Sequence, residues 1–324
     1  MGFWLSGLDE AGYGPMLGPL VIGLATFRSE EPIPSSAPWG LLSPAVGRKR
    51  ASKRIAVADS KALHRPSAGD LSPLEAGVLA FVACERGGSP PATFRELVEH
   101  LTAGRSAYLD EYPWYRGRDL PLPTGVPALE LVGMIRRLER ACARAGLEVT
   151  ELRAIPLEVG EFNRSLEARS TKGEVNAWGM GRLLRWLWLR EERDRAEAWT
   201  DRLGGRLRYG SLLYPLFPGS RFQIVEQERE RQCYRVEDPG RGRVLTIHFQ
   251  KECEESSFPT ALASMTAKYL RELHMLLFNR WWQEQDPALR ATAGYPQDAR
   301  RFLGDIDPLR RRLGIAGGLL IRRR

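Results

Sequence analysis

Hydrophobic residues dominate from Phe3 to Leu8 and stop at two adjacent carboxylates, Asp9 and Glu10, which are followed by Ala-Gly-Tyr-Gly-Pro and then Gly18-Pro19. An apolar run opening into Gly/Pro punctuation predicts a buried strand over 3–9, a loop, and a second strand over 19–27. The Pro/Ser-rich stretch 30–39 reads as a surface loop, and 55–61 as a short strand ending in the polar turn Asp59-Ser60-Lys61. A helix then begins with Ser72 as cap and Pro73 at its first position, turning Leu74, Val78, Leu79 and Val82 inward. Breakers such as Ser-Pro-Pro and Pro-Leu-Pro-Thr-Gly make 87–125 irregular, and 127–145 returns to an amphipathic helical period. A strand is expected over 152–157 and a long helix over 171–193, with Trp178, Leu183, Trp186, Leu187 and Leu189 as core contacts.

Further strands are expected over 197–201, 222–227, 232–236 and 244–250. A helix over 259–282 carries Leu262, Met265, Tyr269, Leu273, Leu276 and Leu277 on its apolar side. This mixture predicts an α/β protein with one core over 1–324, an insertion over 87–150 and a basic, helical C-terminal extension over 283–324.

Composition narrows the partners. Lys+Arg exceed Asp+Glu by 48 to 40, and the surplus collects at Arg300-Arg301, Arg310-Arg311-Arg312 and Arg322-Arg323-Arg324. Guanidinium forks match phosphate geometry, so the bias favours a polyanionic partner. The four cysteines form no CxxC pair, which argues against zinc and for a reduced, cytoplasmic setting. No secretory signal is visible and no apolar stretch approaches ~20 residues, so no membrane span is expected. The chain is expected to act as a monomer.

The candidate chemistry sits at strand ends. Asp9 and Glu10 close the first strand, Asp201 closes a second before Arg-Leu-Gly204, and Glu252, Glu254 and Glu255 follow a third. Bare carboxylates at buried strand ends need a cation, and hard oxygen donors suit Mg²⁺ or Mn²⁺. Two-metal phosphoryl chemistry needs several carboxylates converging on ions ~3.5–4 Å apart. Consecutive Asp9 and Glu10 face opposite sides of a regular strand, so a shared site requires the strand to end or distort at Glu10. The glycine loop lacks the Lys and Ser/Thr of a P-loop, the four histidines show no metal spacing, and the tryptophans read as core.

Asp9-Glu10-Ala-Gly12-Tyr13-Gly14-Pro, followed by Gly18-Pro19, resembles the opening motif of the type 2 ribonuclease H family. Asp59-Ser60-Lys61 resembles its DSK motif, Asp201 with Gly204 its third acidic site, Ala263-Ser264-Met-Thr-Ala-Lys268 its ASxxAK helix, and Gly294-Tyr295 its GY pair. The resemblance implies an RNase H-like fold with a central mixed sheet flanked by helices. It also implies metal-dependent cleavage of the RNA strand of RNA–DNA hybrids, or of duplex DNA 5′ to an embedded ribonucleotide, with two Mg²⁺ or Mn²⁺ ions. Asp9, Glu10, Asp201 and Glu254 would be the catalytic, metal-binding set. Gly12, Tyr13 and Gly14 would meet the 2′-hydroxyl, Tyr295 the next sugar, and Lys61, Ser264 and Lys268 the phosphates.

Three features depart from the family pattern: Tyr13 stands for an arginine, Glu254 for an aspartate, and 87–150 exceeds the compact core. Glu252 is the alternative fourth ligand. A non-catalytic hybrid- or duplex-binding module, or a nuclease acting on DNA alone, is the competing reading.

Overall fold

Seven strands form one mixed sheet in the order β5-β2-β1-β6-β9-β8-β7. The computed structural model describes residues 2–51, 54–64, 69–190, 195–204 and 206–323. In chain order the elements are β1 (Phe3–Ala11), β2 (Leu20–Ser29), α1 (Ala37–Leu41), β3 (Val46–Gly47), β4 (Ile55–Ala56), α2 (Ser60–Leu63), α3 (Ser72–Glu85), α4 (Phe94–Leu101), α5 (Ala128–Ala145) and β5 (Glu148–Leu157). There follow α6 (Val159–Arg169), α7 (Lys172–Leu189), β6 (Arg195–Asp201), α8 (Gly210–Leu213), β7 (Arg221–Gln227), β8 (Arg231–Asp238), β9 (Arg243–Gln250), α9 (Cys253–Ser256), α10 (Phe258–Gln285), α11 (Pro296–Arg312) and α12 (Gly317–Leu320). β1 runs antiparallel to β2 and parallel to β6, and β6 parallel to β9. The expected α/β class with a mixed, helix-flanked sheet is what the chain adopts.

Each sheet face builds its own core. On one, Val21, Ala25 and Phe27 pack beneath α3, α4, α5 and α10; on the other, Trp4, Leu8, Ile22 and Leu24 pack against α6 and α7. Alternation along β1 sets this division, because successive side chains point to opposite faces. α10 approaches β1 and β2 very closely. A Cβ on Gly7 would lie 2.0 Å from the Thr260 nitrogen, and one on Gly23 would lie 2.4 Å from the Ala263 oxygen. Two side-chain-free positions on adjacent strands therefore let the helix bring Ser264 over the end of β1.

Several local expectations are revised. Ser72 is the first helical residue of α3, not its cap, because Asp70 accepts from both its N–H (2.9 Å) and its hydroxyl (2.5 Å). The expected surface loop 30–39 carries buried Trp39, whose indole donates to Val57 O at 2.8 Å. The long helix ends at Leu189, and residues 191–193 of that expectation lie outside the described residues. A separate helix, α6, precedes it where no element was expected.

The 87–150 segment packs α4 and α5 into the same core as α3 and α10. Buried Glu75 of α3 pins it by accepting the backbone N–H groups of Thr124 (2.6 Å), Gly125 (2.7 Å) and Val126 (2.8 Å). Among the described residues, no helix is long and apolar enough to cross a membrane.

Candidate metal centre

β1 does not break at Glu10. It pairs with β2 through Ala11, so Asp9 and Glu10 keep opposite faces of the sheet. Asp9 is buried on the α10 side, hydrogen-bonded to Ser264, and Glu10 bonds Asn176 of α7 on the other. The expected distortion is absent because a different feature admits both groups to one region. The parallel ladder between β1 and β6 ends at Leu8–Thr200, one residue before Asp9. Past that point β1 and β6 are unpaired, and there Asp9 lies close enough to feel Glu10 and Glu254, and Glu10 to feel Asp201.

Asp201 and Glu254 complete the cluster. Asp201, the last residue of β6, accepts from the backbone N–H groups of Arg202 (2.7 Å) and Glu252 (3.0 Å). Glu254, on the one-turn α9 after β9, is buried with its Oε2 unpartnered. Lys61 brings its Nζ to 3.9 Å from Glu254 Oε1 while its side chain remains 81% exposed. α2 places that lysine because the Asp59 carboxylate caps it, accepting from Lys61 N–H at 3.0 Å. Ser60 on the same turn shares a 3.0 Å hydrogen bond with Ser264.

The electrostatics are those of crowded acids. Burial pushes the Asp9 carboxyl well above the usual range, and Glu10 and Glu254 push it further, against the Ser264 hydrogen bond. Glu10 is raised by burial and by Asp201, against the Asn176 bond. Burial likewise raises Asp201 and Glu254. Burial pulls Lys61 down, but Asp59, Glu254, Asp9 and Glu10 outweigh it and hold the ammonium above its ordinary value. One exposed lysine does not neutralise four carboxylates.

A divalent cation fits this donor set in kind: hard oxygens, surplus negative charge and an orphaned buried carboxylate oxygen. Among the described residues, no three Asp, Glu, His or Cys side chains stand as a closed ligand group.

The glycine loop borders the cluster. Gly12 has φ +87°, and a Cβ there would meet Arg271 Nε at 2.6 Å and Pro19 O at 2.7 Å. Arg271, fully buried on α10, donates to Leu17 O (3.4 Å) and Ala293 O (3.0 Å). Tyr13 is 42% exposed at the loop tip, and Gly14 beside it is exposed. Gly294 O accepts from Met16 N–H at 2.7 Å, which sets half-exposed Tyr295 beside the loop. Lys268 lies apart: it is buried, and its Nζ is 2.7 Å from Glu272, which also pairs with Arg271 at 3.1 Å. Glu272 thus ties Lys268 to the arginine beneath the loop.

Sequence reasoning missed Asn176 and Arg271. Asn176 follows the Thr171 cap by five residues and carries no motif. Arg271, seven positions after Ser264, shares its helix face.

No protein-family model matches the chain, and no curated protein matches it in sequence. Among solved structures it is similar to the ribonuclease H2 of Pyrococcus horikoshii OT3, at 14% identity and a TM-score of 0.46, covering 98% of this chain and 92% of that one. It is also similar to RNase HII of Archaeoglobus fulgidus, solved in complex with PCNA, at 13% identity, a TM-score of 0.40 and coverages of 99% and 94%. A third similarity is to Aquifex aeolicus RNase H3, at 12% identity, a TM-score of 0.40 and coverages of 98% and 71%. At such scores these likenesses assign no residue a role.

Proposed function

We infer that the protein is a metal-dependent ribonuclease of the type 2 ribonuclease H kind. Its substrate would be duplex carrying ribonucleotides, as an RNA–DNA hybrid or as single ribonucleotides in DNA. The observation that carries this reading is the gathering of Asp9, Glu10, Asp201 and Glu254, from three distant segments, around Lys61. Ser60 and Ser264, from two of the segments that resemble the family, share a hydrogen bond beside it.

In this reading the four carboxylates hold Mg²⁺ or Mn²⁺. Such ions supply a water nucleophile at neutral pH and neutralise charge on the leaving oxygen. The chain itself binds and orients. Lys61, kept protonated by its acidic neighbours, meets a phosphate oxygen. The backbone of Gly12–Gly14 meets the 2′-hydroxyl, the group that separates RNA from DNA. Tyr295 covers the adjoining sugar. Ser264 holds Asp9, and Asn176 holds Glu10. Hydrolysis puts a water oxygen on phosphorus and releases the 3′-oxygen of the preceding nucleotide, leaving a 3′-hydroxyl.

Three labelled duplexes test the reading: one with a single embedded ribonucleotide, one RNA–DNA hybrid, and one all-DNA. Metal-dependent cutting of either of the first two, with the third intact, is the expected pattern. Equal cutting of all three assigns the chain to DNA nucleases. Salt-sensitive binding with no cutting in either ion makes it a binding module.

A further inference from the structure

Arginine is abundant at the C-terminus, and several of those side chains are already paired. Arg301 pairs with Asp298 and Asp305, both at 2.7 Å, and Arg310 and Arg311 pair with Asp307 at 2.9 and 2.8 Å. Arg323 pairs with Glu167, and Arg322 is buried. A second basic run, Arg48-Lys49-Arg50, follows β3 and is exposed. Its position is specific. Arg48 lies flat on Trp39, its guanidinium carbon 3.5 Å from the ring centroid, and donates through Nη1 to Glu255 O at 2.7 Å. Glu255 is the neighbour of Glu254, which Lys61 approaches from another element. Arg48 and Lys61 therefore converge on the same one-turn helix α9, one at its backbone and one at its carboxylate.

Stacking on an indole orients a guanidinium without consuming its donors, and the bond to Glu255 uses one of five. The other N–H groups of Arg48 stay available at the rim of the carboxylate cluster. Lys49 has no ion-pair or hydrogen-bond partner among the described residues. Arg50 is held by Asp70 at 3.2 Å, with both side chains about half exposed or more, a weak tie.

We propose that Arg48 and Lys49 form a phosphate rail, which with Lys61 grips the sugar–phosphate backbone of the nucleic acid on the β3 side of the metal centre. This rests on the ribonuclease reading for the identity of the polyanion. The rail supplies affinity and register, not sequence preference, because phosphates carry no base information.

The test measures binding of a duplex bearing one ribonucleotide in an Asp9→Asn background, across a salt series. Each lost phosphate contact makes the log–log salt dependence shallower by about 0.9. Lys49→Ala should lower the slope by about 1 and weaken binding severalfold, and Arg48→Ala/Lys49→Ala should lower it by about 2 and weaken binding about tenfold. Arg300→Ala/Arg312→Ala should leave the slope unchanged. Unchanged slopes in the rail variants, or slope lost through the C-terminal pair instead, overturn the proposal while leaving the ribonuclease reading intact. A parent protein that binds no duplex at low salt overturns that reading itself. Lys49→Ala guards against a merely structural role for Arg48, since Lys49 supports nothing in the fold.

Discussion

The backbone N–H of Glu252 donates to Oδ1 of Asp201 at 3.0 Å, tying the segment after β9 to the end of β6. Glu252 makes this bond from a left-handed conformation, φ +53°, with its own side chain 62% exposed and 3.5 Å from Lys251. Its contribution is therefore made by its backbone, while buried Glu254 two residues on presents its carboxylate to the cluster. Glu252→Gln should leave cleavage within about twofold, whereas Glu254→Gln should lower kcat at least ~10²-fold, in the range of losing a charge-stabilising group. Steady-state kinetics on the two variants decides between them, and the reverse ranking would make Glu252 the ligand.

Gly7 fixes how closely α10 sits on the sheet. An added methyl would overlap backbone atoms of Pro259 and Thr260 at 2.1 and 2.0 Å, which no side-chain rotation relieves. Gly7→Ala should cost about 3 kcal/mol, read as a lower denaturant midpoint, and should also weaken cleavage by moving Ser264 off Asp9. A variant as stable as the parent would contradict the packing described for β1 and α10.

His274 gives the fold a sensitivity to acid. It is fully buried on α10, with Nδ1 2.7 Å from Leu270 O and Nε2 2.8 Å from the Tyr108 hydroxyl. Burial pulls its pKa down from 6.5 to about 4, so it stays neutral in the folded chain while the unfolded chain takes up a proton. The sign follows: the stability it supplies is complete above pH 6.5 and is lost as pH falls toward 4, amounting to about 3 kcal/mol. At 3.7 Å from Glu158, whose carboxyl burial raises to about 8, the contact joins two neutral groups at pH 7. Urea unfolding between pH 7 and 4 should show a shallower decline for His274→Gln than for the parent; parallel curves would contradict this.

The sequence is most readable where period and chemistry coincide. Apolar runs and Gly/Pro punctuation locate β1, β2 and β6, and a carboxylate closing an apolar run marks Asp9, Glu10 and Asp201 in the sequence alone. Glu254 needs the family resemblance, because a one-turn helix has no period to read. The route by which Asp9 and Glu10 share a site was not legible, since it depends on where the ladder to β6 stops, a long-range pairing. Arg48 was hidden for a similar reason: its meaning comes from Trp39 and Glu255, 207 positions away from it. Composition also counts the C-terminal arginines alike, although Arg301, Arg310 and Arg311 are paired with aspartates about one helical turn away.

Tyr13, 42% exposed at the tip of the glycine loop, stands where the resembling motif carries an arginine. If loop recognition works through backbone groups, Tyr13→Arg adds a phosphate contact without changing the preference for ribonucleotides. Duplex affinity should rise severalfold and its salt slope steepen by about 1. A variant that instead cuts all-DNA duplex would show that the tyrosine itself sets the selectivity.

In the proposed reading Asp9, with Glu10, Asp201 and Glu254, would hold the divalent ions for cleavage beside a ribonucleotide. Single-turnover cleavage of a duplex with one embedded ribonucleotide measures it, comparing the parent protein and Asp9→Asn in Mg²⁺, in Mn²⁺ and with chelator. The expected result is one cut 5′ to the ribonucleotide with a 3′-hydroxyl product, none with chelator, and a loss of at least ~10²-fold in Asp9→Asn. Undiminished cutting by Asp9→Asn, or cutting with chelator present, would contradict it.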